Sequence, residues 1–192
     1  MKYASIDIET CGLNETDSII ELGIVLDDLT VQKPPEQLPR FHCYILPPYG
    51  QYCGHPAALA MHPEIFKRIS KREEGYLYLM PSEVGQFVGK FLIENGFNGT
   101  INVAGKNFAG FDKRFLEEQT TFFECVKTRH RVIDVATHFV DASDTCLPDL
   151  KTCLKRAGVI KEVAHDAIGD ALDIVSLVRY TIGGMFLRKE IL

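Results

Sequence analysis

The alternation of apolar and polar residues first predicts three consecutive strands. Residues 3–9, 18–27 and 41–47 are rich in β-branched and apolar side chains, and Gly-, Asn-, Asp- and Pro-containing segments separate them. No helical pattern lies between these runs, and strands joined without a crossover helix usually pair antiparallel. We therefore expect the amino-terminal part of the chain to form an antiparallel meander.

Two helical regions follow. Residues 55–72 have a helical pattern that Pro63 interrupts, and residues 81–96 start with Pro-Ser and stop at Gly96. The apolar side chains of the second region recur at helical spacing and predict one buried face, formed by Val84, Phe87, Val88, Phe91 and Leu92.

The second half of the chain alternates between the two kinds of element. It predicts a strand at 100–107, a helix at 108–119, a strand or strand-to-helix transition at 130–140, and helices at 147–158 and 164–184. The order βββ–α–β–α–β–α–α is typical of an α/β fold, here with one central mixed five-stranded sheet flanked by helices. Because no internal repeat or long linker interrupts the chain, residues 1–192 are expected to form a single domain.

Composition places the chain among ordinary globular proteins, with 46% hydrophobic and 24% charged residues. No apolar stretch approaches the roughly 20 residues that a membrane-spanning helix needs, and the amino terminus has no secretion signal, so we expect a cytoplasmic protein without a membrane partner. Its six cysteines include no C-x-x-C pair and are expected to be reduced thiols. The spacing of His42, Cys43, Cys53 and His55 fits no common zinc site.

The net charge of −5 argues against a broad electrostatic grip on nucleic acid. It leaves room for a compact site in which bound metal ions supply the positive charge.

The first candidate for such a site is the pair Asp7 and Glu9 in the first predicted strand. Side chains alternate along a strand, so the two carboxylates share one face, with Cβ atoms about 7 Å apart. That separation suits the binding of a hard cation. A strand with one solvated polar face gives the same pattern, so the pair alone is a weak signal.

A second candidate is Asp112, which lies among phenylalanines that mark a core-facing helix surface. It follows Phe108 by four residues and precedes Phe115 by three. A buried unpaired carboxylate is costly, so Asp112 needs a partner. Lys113, Arg114 or a neighbouring helix is expected to provide it if the residue has only a structural role.

The third candidate is the run "HDAIGDALD" at 165–173. Asp166, Asp170 and Asp173 follow an i, i+4, i+7 spacing and form a stripe on one helix face. Asp166 also suits a helix amino terminus, where a negative charge is favourable, and Asp173 is expected to be solvated. His165 precedes this stripe and is the side chain there that titrates near neutral pH.

Taken in order, the three candidates resemble the motifs of one family, the DEDDh branch of the DnaQ-like 3′–5′ exonucleases. "SIDIETCGL" at 5–13, with the following "SIIELGIVLDD", resembles the first motif. "AGKNFAGFDKRFL" at 104–116 resembles the second, and "DLKTCLKRAGVIKEVAHDAIGDALD" at 149–173 resembles the third. The spacing from His165 to Asp170 fits the histidine branch, because the tyrosine branch would have Tyr at position 166, where this chain has Asp. The resemblance covers nearly the whole chain.

This resemblance implies an RNase H-like fold and a metal-dependent exonuclease that releases nucleoside 5′-monophosphates. It implies two divalent ions, Mg²⁺ or Mn²⁺, whose ligands would be Asp7, Glu9, Asp112 and Asp170. His165 would be the general base, which completes the catalytic set. The residues implied to hold the terminal nucleotide are Thr10, Cys11, Gly12, Leu13, Asn107 and Phe108. Many relatives have a small hydroxyl residue in place of Cys11.

Several alternatives stay open at this point. The substrate could be the 3′ end of single-stranded DNA or of RNA, including the short RNAs of oligoribonuclease-like relatives. A catalytically silent binding module of the same fold is a different class of function, but such proteins typically lose an acidic ligand, and all five motif positions are filled here. The chain is expected to act as a monomer or homodimer.

Overall fold

The computed structural model describes residues 1–31, 33–159 and 166–183. Its strands form one sheet in the order β4-β3-β2-β1-β5-β6. The strands are β1 (Lys2–Thr10), β2 (Ile19–Asp28), β3 (Arg40–Ile45), β4 (Tyr78–Leu79), β5 (Thr100–Gly105) and β6 (Lys127–Asp134).

The pairing of the strands confirms the predicted meander and the mixed sheet. β1 pairs antiparallel with β2, and β2 pairs antiparallel with β3. The other three pairings, β1–β5, β5–β6 and β3–β4, are parallel. The described residues give six strands and not the predicted five, because β4 has only two residues and is too short to show an alternating pattern.

Helices follow the predicted order with shorter bounds. They are α1 (Pro56–Met61), α2 (Pro63–Lys71), α3 (Pro81–Glu94), α4 (Asp112–Gln119), α5 (Phe122–Cys125), α6 (Leu150–Arg156) and α7 (Ala167–Val178). Short 3₁₀ turns lie at Pro35–Gln37 and Val135–His138, and a π-helical turn follows α7 at Arg179–Gly183. Within the described part of the chain, no helix has the length and apolar character needed to cross a membrane.

The described residues form three apolar clusters, and β1 contributes by alternation to the two largest, which lie on opposite faces of the sheet. Ile6 and Ile8 pack in the core that α3, α4 and α5 cover. Tyr3 packs in the other core with Ile174 and Val175 of α7. The odd-numbered residues of β1 therefore face α7.

Two burial expectations are wrong. Phe87, expected on the buried face of α3, is 40% exposed, whereas Asp173, expected to be solvated, is only 5% exposed. All six cysteines are free thiols, as predicted, and Cys11, Cys43 and Cys153 are buried.

Candidate metal centre and active site

Asp7 and Glu9 lie near the end of β1, on the face that turns towards α7. The backbone of β1 is fixed here by its pairing with β2, in which Asp7 lies opposite Gly23 and Glu9 lies opposite Glu21. Earlier on the same face, the hydroxyl of Ser5 donates to the carbonyl of Ala171 at 2.8 Å and holds α7 against the strand. The predicted sharing of one face by the two carboxylates is confirmed.

Asp170 completes a carboxylate cluster from the first turn of α7. Asp7, Glu9 and Asp170 each offer an oxygen atom, and these three atoms lie within 4.8 Å of one another. Over the described ranges, no other group of three or more Asp, Glu, His or Cys side chains has such an arrangement. Residues from β1 and α7, more than 160 positions apart in sequence, thus form one candidate metal site.

Asp166 is the amino-terminal cap of α7, as its position predicted. Its Oδ1 accepts a hydrogen bond from the amide of Gly169 at 2.8 Å. This contact occupies one of the helix's free amide groups and fixes the turn that carries Asp170.

Asp112 lies at the start of α4 and is 3% exposed. Its Oδ1 accepts a hydrogen bond from the amide of Ile8 in β1 at 3.2 Å. This amide is accessible because β5 pairs with β1 only at Ala4 and Ser5. Lys113 and Arg114, two of the partners considered for a purely structural Asp112, lie instead 3.8 Å from Glu117 and 3.3 Å from Glu15.

The cluster holds more negative charge than its surroundings compensate. Burial, followed by repulsion from Asp112 and Asp170, raises the pKa of Asp7 well above its usual range. Burial and repulsion from Asp170 and Glu21 raise the pKa of Glu9 to about 8. Burial raises the pKa of Asp112 to about 7, although hydrogen bonds, including the one from Ile8, oppose the shift. Such a site favours either protons or cations.

The loop after β1 combines a fixed backbone with one projecting side chain. The Thr10 hydroxyl donates to the carbonyl of Gly12 at 2.6 Å, and a side chain at Gly12 would collide with Asp17. Cys11 is fully buried, whereas Leu13 is 78% exposed. Of the four residues expected to hold a nucleotide here, Leu13 has the side chain that is free to contact a ligand.

Asn107 and Phe108, which precede α4, also differ in exposure. Asn107 is exposed and adopts a left-handed conformation, with φ of 58°, and its amide donates to Asp134 at 3.2 Å. Phe108 is 1% exposed and packs in the core, so its ring is not available to a ligand.

His62 is a site residue that the sequence reasoning missed. It lies between α1 and α2, is 5% exposed, and places Nε2 3.6 Å from Glu9 Oε2. A cavity of about 550 Å³ opens beside it. Its sequence signal was a histidine that interrupts the apolar pattern of residues 57–65 just before Pro63. His165, which the sequence predicts as the general base, lies outside the described residues.

Glu21 was missed as well, and it lies next to the cluster without belonging to it. It is a fully buried carboxylate near the start of β2, within the otherwise uncharged run of residues 19–26. That single charged residue within an apolar run was the available sequence signal.

No protein-family model and no curated protein sequence matches this chain. Solved structures do match it. Escherichia coli exonuclease I bound to a dT13 oligonucleotide has a TM-score of 0.58 and 16% identity, over 96% of this chain and 42% of that chain. The same enzyme with a dA16 oligonucleotide has a TM-score of 0.60 and 15% identity, over 96% of this chain and 42% of that chain. Its zinc-bound complex with single-stranded DNA has a TM-score of 0.55 and 15% identity, over 98% of this chain and 42% of that chain.

The chain thus spans less than half the length of the exonuclease I chain, and at this identity the likeness concerns the fold. It confirms the expected α/β fold of the RNase H-like type, with a mixed sheet flanked by helices.

Proposed function

We propose that this protein is a metal-dependent 3′–5′ exonuclease that removes nucleotides from the 3′ end of single-stranded DNA. The observation that carries the proposal is the convergence of Asp7, Glu9 and Asp170 within 4.8 Å, on a fold shared with exonuclease I. Structures of exonuclease I with dT13 and dA16 oligonucleotides support single-stranded DNA as the first substrate to test.

The donor set fits hard divalent cations. All its oxygens come from carboxylates, which suit Mg²⁺ or Mn²⁺. Burial, followed by repulsion from neighbouring carboxylates, raises the pKa values of Asp7 and Glu9, and a bound cation would offset both effects. We assign Asp7, Glu9, Asp112 and Asp170 as ligands of two such ions. When bound, the pair supplies Lewis-acid activation and charge stabilisation for an in-line displacement at phosphorus.

The remaining roles belong to the protein's own groups. His165 accepts the proton of the attacking water, since an imidazole titrates near neutral pH. Leu13 contacts the terminal base, and the fixed backbone from Thr10 to Gly12 supports that contact. Nucleoside 5′-monophosphate leaves as the product.

The decisive experiment compares wild-type protein with Asp7→Asn on 5′-labelled single-stranded DNA, with Mg²⁺ or Mn²⁺ and then with EDTA. Shortening should proceed one nucleotide at a time from the 3′ end and stop with EDTA. Because Asp7 is central to the cluster, its loss should lower the rate by more than the roughly 10–100-fold that loss of an outer-shell partner costs. Isothermal titration with Mn²⁺ should show weaker binding in the variant.

The matched control is Glu94→Gln, which removes an acidic group from the exposed end of α3, where Glu94 lies 3.8 Å from Lys90. It should retain full activity. Activity that persists in EDTA, or an Asp7→Asn rate equal to the wild-type rate, would refute the proposal. Single-stranded RNA and a dinucleotide serve as parallel substrates, and faster turnover of either would move the assignment to an exoribonuclease. A protein that binds these strands without cleaving them would be a binding module.

The role of His165 needs its own test. His165→Ala should lower kcat by about 10²–10⁴-fold, the usual contribution of a general base, and should leave Mn²⁺ binding unchanged. The wild-type pH–rate profile should rise as an imidazole loses its proton, and the variant should lack that rise. An unchanged rate near neutral pH would show that another group takes the proton.

A further inference from the structure

Glu21 uses both carboxylate oxygens to join three elements beside the site. It is fully buried in β2. Its Oε1 lies 2.6 Å from Nε2 of His42 in β3, and its Oε2 accepts a hydrogen bond at 3.0 Å from the amide of Ala167, the first residue of α7. A buried carboxylate with these two contacts connects the sheet directly to the helix that carries Asp170.

The start of α7 lies in direct contact with β2 at the same place. A side chain at Gly23 would collide with the backbone of Ala167, so the helix can approach this closely only over a glycine. Ser5 adds its hydrogen bond to the carbonyl of Ala171. The first turn of α7 therefore has little freedom to shift along or away from the sheet.

Two acidic side chains accept hydrogen bonds from different free amide groups at the amino terminus of α7. Asp166 accepts from Gly169, the third residue of α7, and Glu21 accepts from Ala167, the first. Both contacts place negative charge at a helix amino terminus, which is favourable. Asp170 lies immediately beyond these two anchored residues.

The opposite end of α7 is held to the same strand by a separate carboxylate. Just after the helix, Arg179 donates from Nη2 to Asp27 Oδ1 at 2.6 Å and from Nε to Asp27 Oδ2 at 2.9 Å. Asp27 lies six positions after Glu21, which corresponds to about 20 Å of strand, and Arg179 lies twelve positions after Ala167, which corresponds to about 18 Å of helix. The lengths match, so α7 lies along β2 with one carboxylate at each end.

We propose that Glu21 is a positioning residue of the metal centre, which fixes the first turn of α7 and thereby holds the carboxylate of Asp170 against Asp7 and Glu9. This inference rests on the proposed function, because it takes these carboxylates to be metal ligands. Glu21 lies opposite Glu9 in the strand pairing, and like charges in that arrangement repel each other. The charge of Glu21 therefore does not stabilise the site, and its contribution is the hydrogen bond that holds the first residue of α7.

The test substitutes Glu21 in three ways and measures Mn²⁺ affinity, kcat, KM and Tm. Glu21→Met keeps the volume but accepts no hydrogen bond, and Glu21→Asp keeps the charge but is one methylene short of the Ala167 amide. Both should lower Mn²⁺ affinity and kcat by about 10–100-fold, as outer-shell partners of metal ligands do, with little change in KM. Glu21→Gln keeps an oxygen for that amide and should restore most of both quantities.

Asp27→Asn is the matched control. It replaces a buried carboxylate of the same strand with a neutral amide and so weakens the ion pair with Arg179 at the other end of the same helix. It should lower Tm while Mn²⁺ affinity stays within about twofold of wild type. If Asp27→Asn weakens Mn²⁺ binding as strongly as the Glu21 variants do, general destabilisation explains the effect and the proposal is wrong. Wild-type Mn²⁺ affinity and kcat in Glu21→Asp would also overturn it, even if Glu21→Met does not fold.

The same titration separates this inference from the proposed function. A wild-type protein that binds no Mn²⁺ contradicts the metal centre itself. A wild-type protein that binds Mn²⁺ and cleaves DNA, together with Glu21 variants that do the same, contradicts only the positioning role.

Discussion

Among single residues, Leu13 combines an exposed apolar side chain with a backbone held by hydrogen bonding. Its side chain is 78% exposed, yet its carbonyl accepts a hydrogen bond from Arg114 Nη2 at 3.1 Å. The same arginine lies 3.3 Å from Glu15 and so holds the loop from both sides. A projecting apolar side chain on a held backbone, four residues after Glu9, is suited to press against a flat base.

We therefore expect Leu13→Ala to weaken substrate binding and to leave the chemical step largely intact. Burial of the leucine side chain against the substrate contributes about 1–2 kcal/mol, so KM for single-stranded DNA should rise roughly 5- to 30-fold in the variant, with kcat within about twofold. Tm should stay unchanged because the side chain contributes little to the core. Steady-state kinetics on an oligonucleotide series would measure these effects.

Leu147→Ala is the control for this substitution, since Leu147 is a second exposed leucine, at 54%, in the loop before α6. It should leave both kinetic constants unchanged. If the two variants behave alike, Leu13 has no specific contact with the substrate.

Residue by residue, the sequence predicted what local geometry determines. Alternation along β1 was sufficient to place Asp7 and Glu9 on one face, and helix-end chemistry was sufficient to identify Asp166 as a cap. The partner of Asp112 could not be predicted in this way, because it is a backbone amide 104 positions away in β1. The place of His62 beside Glu9 likewise depends on tertiary packing.

At the scale of elements, the apolar pattern predicts that a helix or strand exists more accurately than it predicts where that element begins and ends. The phenylalanine spacing extended the predicted helix back to residue 108, whereas α4 begins at Asp112. The reason is the left-handed conformation of Asn107, after which residues 107–111 form a turn. The later start places Asp112 at the end of the helix that faces β1.

The shortest elements left no readable pattern. β4 has two residues and α5 has four, about one period of a strand and of a helix, and a periodic pattern needs several periods to be recognised. The break between α1 and α2 at Pro63, in contrast, was predicted, because proline removes an amide donor and fixes its own φ. Phe87 followed the helical period of α3 but lies at the border of the covered face and stays 40% exposed.

For the molecule as a whole, the distribution of charge matters more than the net value of −5. The end of β1 and the starts of α4 and α7 bring four carboxylates to one region, and burial disfavours the ionised forms of Asp7, Glu9 and Asp112 there. Folding without a cation therefore has an electrostatic cost that rises as these groups lose their protons. Stability and metal binding should be linked through pH.

The sign of that linkage follows from the raised pKa values. Glu9 and Asp112 have pKa values of about 8 and about 7 in the folded protein, whereas the same groups in an unfolded chain titrate near pH 4. Between roughly pH 4 and 8 the native state therefore holds more protons than the unfolded state, so stability falls as pH rises through this window. The contribution from these groups is fully present below about pH 4 and is lost above about pH 8.

We expect the metal-free protein to show a Tm that decreases from pH 5 to pH 8, and Mg²⁺ to reverse that decrease. At a concentration 100 times its Kd, a ligand that binds only the native state adds about 2.7 kcal/mol. For a chain of this size, that corresponds to a rise in Tm of roughly 5–10 °C at pH 8. The rise should be much smaller at pH 5, where protons occupy the carboxylates.

Differential scanning fluorimetry in EDTA and in Mg²⁺ across this range would measure both effects. Asp7→Asn should flatten the pH dependence in EDTA and reduce the Mg²⁺ response, since it removes one charge from the centre of the cluster. Equal Tm values with and without Mg²⁺ at pH 8 would mean that the cluster binds no cation under these conditions.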